Sequence, residues 1–339
     1  MTFVKGNQGY VMLSDKQTAL TTKKVPTYTG TIQAGEDLKL VKPAKTVLVD
    51  RIRNNVAPTI VQKGNIHIEG SLTFDDMPDE AFGINLALLL GSGNTSAGNA
   101  SSGYTHTLNA WSTCSDYPTS GITIQKRVGG CDTTMQVDNI GCFVNSLAYT
   151  VPEEGVCSYA INYMGVSSSF AGTSADPTYS TKTPFEGYMA QLKIGATIGA
   201  VAAVSFKSCT FTISNNLQII SDHNASNQYP SAIIPNARAI EFSFEITQDN
   251  SLTFFDYFKN DTENAIQLII THPSNAGSST GVYSRTFNFS KVTWLGDEPT
   301  LDSADVLTGS YNMVGLWDTA LGYDVQATVV NSQSGTYSV

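Results

Sequence analysis

The chain has 339 residues, of which 41% are hydrophobic and only 14% charged, and its formal net charge is −10. That length carries one large or two ordinary domains with a sizeable core. The acidic balance excludes a protein that grips nucleic acid through phosphate contacts, which need Lys and Arg.

The charge is unevenly placed. Residues 1–63 hold 10 Lys+Arg against 4 Asp+Glu, a balance of +6, while residues 64–339 hold 9 against 25, a balance of −16. A basic N-terminal segment on an acidic body is suited to docking on a copy of itself; a solvated lysine-rich arm is the plainer reading. Charged residues fall well below the roughly 25% usual in globular chains. The polar remainder of Ser, Thr, Asn, Gln and Gly suits β-structure with large lateral contacts, because uncharged polar surface costs less to desolvate.

In chain order, residues 1–62 read as an irregular, extended basic arm, punctuated by Val25-Pro26, Lys42-Pro43 and Ala57-Pro58. Ile66, Ile68, Leu72 and Phe74 then alternate as a strand broken at Gly70. Phe82, Leu86 and Leu89 follow at helical spacing, which predicts a helix over 77–90, capped by Asp76 and stopped by Gly91. Capping and favourable charge at the helix start account for Asp75, Asp76, Asp79 and Glu80, whose spacing is not that of a calcium loop. SGNTSAGNASSG reads as a mobile loop and residues 104–108 as a strand.

The stretch Gly121–Gly165 organises the chain and predicts three antiparallel strands. The first is interrupted at Gly129-Gly130. Met135–Val151 is long and broken only by Asp138-Asn139 and Gly141, and Pro152-Glu153-Glu154-Gly155 is a turn before Val156–Met164. Residues 167–187, rich in Ser, Thr and Pro, form a candidate boundary. Strands are predicted at 188–194 and 204–213, a turn at Asn215-Asn216 and a loop over 221–236. The pattern then repeats: a strand at 240–247, a short helical run after Asp249-Asn250-Ser251, and further strands through 311–330. The repeat of roughly 170 residues implies two similar β-domains in tandem. The expected organisation is an arm over 1–62, a first β-domain over 63–182 and a second over 183–339, mainly β, each a sandwich or barrel with a short α-helix.

The chemistry-bearing residues do not converge. His67, His106, His223 and His272 are isolated, there is no G-x-S-x-G, H-E-x-x-H or P-loop, and Cys131 and Cys142 lack the partners of a zinc set. Trp111, Trp294 and Trp317 read as packing residues rather than a sugar site. No catalytic, cofactor-binding or metal-ligating residue is assigned, and no cofactor is expected. The five cysteines show no CxxC pair, and MTFVKGNQGYVMLSDKQTAL lacks an apolar run, so cytoplasmic synthesis with reduced thiols is expected. No segment reaches the length of a membrane span.

Several stretches, in order, resemble the major tail tube proteins of long-tailed, siphovirus-type bacteriophages. They are EGSLTFDDMPDEAFGINLALLLG (69–91), SGYTHTL (102–108), ITIQKRVGG with DNIGCFVNSLAYTV and VCSYAINYMG, and TPFEGYMAQLKIGATIGAVAAVSFKSCTFTISNNL (183–217). The resemblance covers about residues 64–260 and departs in the arm and after 260. It implies a non-enzymatic virion protein, assembled in the host cytoplasm. Its subunits would form rings that stack into a hollow tail tube through which DNA passes without specific binding. It also implies tape measure, tail terminator and distal tail proteins as partners, and a non-contractile tail. Two tube-like domains per chain imply trimeric rings of pseudo-sixfold symmetry, with hexameric rings as the alternative. A β-sandwich receptor- or carbohydrate-binding tail or surface protein is the competing reading, and a hydrolase a third.

Overall fold

The computed structural model describes residues 10–33, 38–41, 65–91, 94–113, 116–129, 134–170, 176–221, 228–247, 256–257, 259–295 and 308–337. It is mainly β. Strands β1 (Tyr10–Lys16), β2 (Tyr28–Gly30), β3 (Leu38–Val41) and β4 (His67–Asp75) precede helix α1 (Phe82–Leu90). Next come β5 (Asn94–Asn99), β6 (Gly103–Asn109), β7 (Ile122–Gly129), β8 (Thr134–Val151), β9 (Ser158–Gly165) and β10 (Ser167–Ser169). The second half holds β11 (Ala190–Gly195), β12 (Val201–Val204), β13 (Ser208–Ser214), β14 (Gln218–Ile220), β15 (Ala232–Ile234) and β16 (Ala239–Thr247). It closes with β17 (Asn264–Asn275), β18 (Val282–Leu295), β19 (Thr308–Gly315) and β20 (Val325–Asn331).

Among the described residues every strand pairing is antiparallel, and two long strands turn corners between sheets. The first half of β8 lies in a small sheet, β2-β1-β7-β8-β10. Its second half joins the central sheet, β3-β4-β9-β8-β13-β16-β19, which the end of β18 extends. The rest of β18 lies in a facing sheet, β12-β11-β17-β18-β20-β6-β5. The sheet therefore runs unbroken between the two halves of the chain through β8–β13 and β6–β20.

The β8 corner is made by Gly141, whose φ of 67° is left-handed. A Cβ there would stand 2.5 Å from the Leu20 carbonyl oxygen. Gly141→Ala is therefore expected to cost about 2–4 kcal/mol, from left-handed strain together with overpacking. The check is the denaturant midpoint at unchanged slope; a midpoint equal to the parent's would show that the corner does not depend on this glycine.

Helix α1 is apolar on all sides except at Asn85, and a helix apolar all round belongs in a core. All nine of its residues are buried between the central and facing sheets. Gly91, at φ 99°, stops it by donating its N–H to the Ala87 carbonyl at 2.8 Å. The helix starts at Phe82 rather than Met77, and its N-cap is Ala81, without a side-chain cap bond. Asp76 is not the cap because its carboxylate is engaged elsewhere, as described below.

Other expectations change too. Residues 10–33 are not an irregular arm: β1 pairs with both β2 and β7, and Val11, Met12 and Leu13 are buried. Residues 1–9 and 42–64 lie outside the described residues. Gly70 does not break β4, because the strand is held on both sides by β3 and β9. The expected loop over 92–103 contains β5, paired residue for residue with β6; main-chain pairing overrides the weak strand propensity of Gly, Ser and Asn. The expected strand over 204–213 divides into β12 and β13, and the expected loop over 221–236 contains β15. The 167–187 stretch is tied down at several points. Thr178 N donates to Thr29 Oγ1, Ser180 N donates to Glu80, and Phe185 is buried in the main core. The cap expected at Asp249-Asn250-Ser251 lies outside the described residues. The chain bends at 153–155 between β8 and β9, with Gly155 at positive φ, and Asn216 of the expected Asn215-Asn216 turn is also at positive φ.

Candidate assembly surfaces

The central sheet has two unlike faces. Inward, one row of side chains crosses it in register: Phe74, Tyr159, Tyr149, Phe211, Phe242, Met313 and Trp294. Phe74 stacks on Tyr159 at 5.1 Å and Tyr149 on Phe211 at 5.5 Å, while Phe287 from the facing sheet meets Phe211 at 4.7 Å. Outward, the rows are small and polar, such as Thr73-Ala160-Ala148-Thr212-Glu241 and Asp75-Ser158-Thr150-Thr210-Ser243-Asn312. This outward face carries Glu69, Asp75, Glu241 and Glu245. Lys39 on the edge strand β3 stands in register with Glu69, and His67 at the start of β4 lies 3.5 Å from the Glu69 carboxylate. The rows named above hold carboxylates and short neutral side chains, a lining that repels polyanions.

The facing sheet's outer surface is mostly uncharged carboxamide and hydroxyl instead, with Lys193 of β11 in register with Gln267. Gln267 Nε2 donates to Asn288 Oδ1 (2.9 Å), Asn288 Nδ2 to Gln326 Oε1 (3.1 Å), and Gln326 Nε2 to Asn109 Oδ1 (2.8 Å). This carboxamide ladder runs over four strands. The row beside it places Thr286, Thr328, Thr107 and Thr95 in register.

Among the described residues, β3, β5 and β12 each pair on one side only, leaving open edges. Open edges invite pairing with another chain.

The acidic cluster at 75–80 is a clamp between the halves of the chain. Asp76 is fully buried; its carboxylate accepts from Arg285 Nη2 at 3.3 Å and from Tyr149 Oη at 2.6 Å. The Arg285 guanidinium lies 4.8 Å from the Phe82 ring centroid and 4.7 Å from that of Phe185. Burial raises the Asp76 carboxyl above its ordinary range, opposed by the Arg285 charge and the Tyr149 hydroxyl. Asp79 accepts from the Tyr283 hydroxyl and from Ser332 N. Glu80 accepts from Thr31 and Ser180. Sequence reading missed these roles because each partner lies far along the chain.

The other chemistry-bearing residues sit apart. His106 is buried, and its Nε2 lies 3.0 Å from Asn331 Oδ1 and 3.1 Å from the Gln333 carbonyl. His272 Nε2 faces the Thr183 hydroxyl and carbonyl, while its Nδ1 accepts from Ser274 N. Burial lowers the pKa of both rings. His67 is at the start of β4, and His223 lies outside the described residues, as do Cys114 and Cys131. Cys142, Cys157 and Cys209 are buried free thiols whose pKa is pushed up chiefly by burial, that of Cys157 to about 12. Trp294 packs in the core, Trp111 stacks under Arg238 at 4.6 Å, and Trp317 is exposed, so the three do not line one site. Among the described residues no group of three or more His, Cys, Asp or Glu is placed to hold a metal, and no helix is long and apolar enough to cross a membrane.

A family model described as phage tail tube protein matches residues 6–326. No curated protein matches the chain.

Proposed function

The chain belongs to the phage tail tube protein family, and from that premise we propose that it is the tail's major tube subunit, forming rings that stack into a hollow conduit for DNA. The observation that carries this is the central sheet: a continuous surface of eight strands, acidic and finely polar on its outward face, with an open edge at β3. Laid side by side, three such sheets make a barrel of 24 strands. At ~4.8 Å per strand and a tilt of ~40°, its backbone diameter is about 48 Å. Side chains narrow that to a bore that passes a duplex about 20 Å across. Six copies would give about twice the diameter, so trimeric rings are favoured over hexameric ones.

Residues 63–182 and 183–339 are assigned as tandem tube-like units after the basic 1–62 segment. The observation favouring this is that each contains one long corner strand, β8 and β18. The excess of basic residues in 42–64, five against one acidic, suits bridging to the acidic body of a copy in the next ring. The role is structural and not enzymatic: His106 and His272 are committed to holding backbone rather than to a reacting group. Tape measure, terminator and distal tail proteins are the assigned partners, and the virion tail, assembled in the host cytoplasm, is the assigned location.

Negative-stain electron microscopy over a concentration series tests this. Hollow tubes of uniform width with threefold rings are the expected result. Discrete particles at every concentration, together with glycan binding, would overturn it in favour of a carbohydrate-binding β-sandwich.

A further inference from the structure

We propose that the β14–β15 hairpin is a head-to-tail docking element that seats against Val156 and Tyr188 of a second copy of this chain. The proposal rests on the self-assembly reading above and names the surfaces that would carry contact along the tube.

The hairpin stands apart from the main sheets. β14 and β15 pair with each other, Gln218 with Ile234, Ile219 with Ile233 and Ile220 with Ala232, and with no other described strand. Ile219 and Ile233 turn into a small separate core with Tyr117, Phe143, Val166 and Leu217. The period of two then places Ile220, Ala232 and Ile234 on the opposite face, with Gln218 paired to Ile234 at its end. Ile234 is 42% exposed, and nearby Tyr229 is 36% exposed. A two-stranded sheet with two open edges and a face of half-buried Ile220 and Ala232 and exposed Ile234 is marginal by itself and gains by being covered.

The counter-surface lies at the other end of the same strands. β13 leads into the hairpin from Ser214; its opposite end, Ser208, lies beside the β8–β9 turn. There Val156 is 38% exposed and Tyr188 74%, the most exposed large apolar side chain described. The backbone beside both is tied down. Val156 bridges to Glu186, Gly187 N donates to the Gly155 carbonyl at 3.0 Å, and a Cβ on Gly187 would strike the Pro152 carbonyl oxygen. Two different apolar patches at opposite ends of one strand stack cannot meet within one copy. Between copies they form a heterologous contact, which propagates along an axis unless its rotation closes into a ring.

The test compares the wild-type chain with Ile234→Glu and Tyr188→Glu, with circular dichroism and thermal melting as controls for folding. Both substitutions are at exposed positions, so the monomer is expected to melt as the parent does. Each is expected to raise the concentration needed for polymers by tenfold or more. In a Cys114→Ser/Cys131→Ser background, mixing Ile234→Cys with Tyr188→Cys chains is expected to give an oxidised dimer that neither gives alone. Tubes in the wild type and equally in both Glu variants, with no mixed disulfide, would overturn the docking surface and leave the tube reading intact. A discrete wild-type oligomer lost in both variants would support the surface and overturn the tube. No self-association and no mixed disulfide would overturn both.

Discussion

Asp76→Ala is expected to lower the free energy of unfolding by about 3–5 kcal/mol, because it leaves the Arg285 guanidinium buried and without its carboxylate. Arg285 is 1% exposed and Asp76 fully buried, so water cannot replace the lost partner. The loss also strips the Tyr149 hydroxyl of its 2.6 Å acceptor. Stacking against Phe82 and Phe185 holds the guanidinium in place after the carboxylate is gone, so relaxation toward solvent is blocked. Asp76→Asn, which keeps an acceptor but not the charge, is expected to fall between the parent and Ala. Replacing both partners, as Asp76→Ala/Arg285→Met, is expected to recover part of the loss, since a pair of apolar groups incurs no charge-burial penalty. Urea unfolding of the parent and the three variants checks this. A loss below about 1 kcal/mol for Asp76→Ala would show that the pair is not the clamp described here.

Phe211→Ala should rival that effect, at about 3–5 kcal/mol. Phe211 is the centre of the aromatic row: Tyr149 and Phe242 flank it on neighbouring strands, and Phe287 and Phe289 meet it from the facing sheet. Four rings from three other strands line the cavity it would leave, so local collapse is hindered. The row spans both halves of the chain, and the main core is a single cluster. The variant is therefore expected to unfold in one transition at lower denaturant, not to lose one half first. Two separated transitions would mean that 63–182 and 183–339 are stable independently of one another. The row is also the inner side of the surface proposed to face the DNA, so its loss is expected to weaken assembly as well as folding.

Much of the strand content is legible in the sequence because alternation is local. Residues 240–247 bury Ile240, Phe242, Phe244 and Ile246, and residues 158–163 bury Tyr159, Ile161 and Tyr163. A period of two therefore identifies both the strand and its inner face. The stop at Gly91 and the turn at Gly155 are equally local, since both need a positive φ that glycine adopts freely. Where the signal was weak or ambiguous, the sequence misled. The β5 segment NTSAGN has little strand propensity, and β15 is three residues among prolines; both are strands only because a partner supplies hydrogen bonds. At 75–80 the pattern of Asp and Glu before an apolar run has the form of a helix cap. The carboxylates are instead spent on Arg285, Tyr283, Thr31 and Ser180.

The division follows from range. Periodicity, turn chemistry, charge balance and the family resemblance are properties of neighbouring residues or of their order. From them the chain alone determines a mainly β protein of the tail tube family, with a buried helix and an acidic body. Which strand lies beside which was decided only by the tertiary structure. So were the two corner strands that carry one sheet into another, the aromatic row, the Asp76–Arg285 clamp, and the separation of an acidic face from a carboxamide face. Each of these depends on residues brought together from up to some 200 positions apart, as in the 209 between Asp76 and Arg285. Alternation says that a side chain faces inward, but a period of two is the same whichever strand stands opposite.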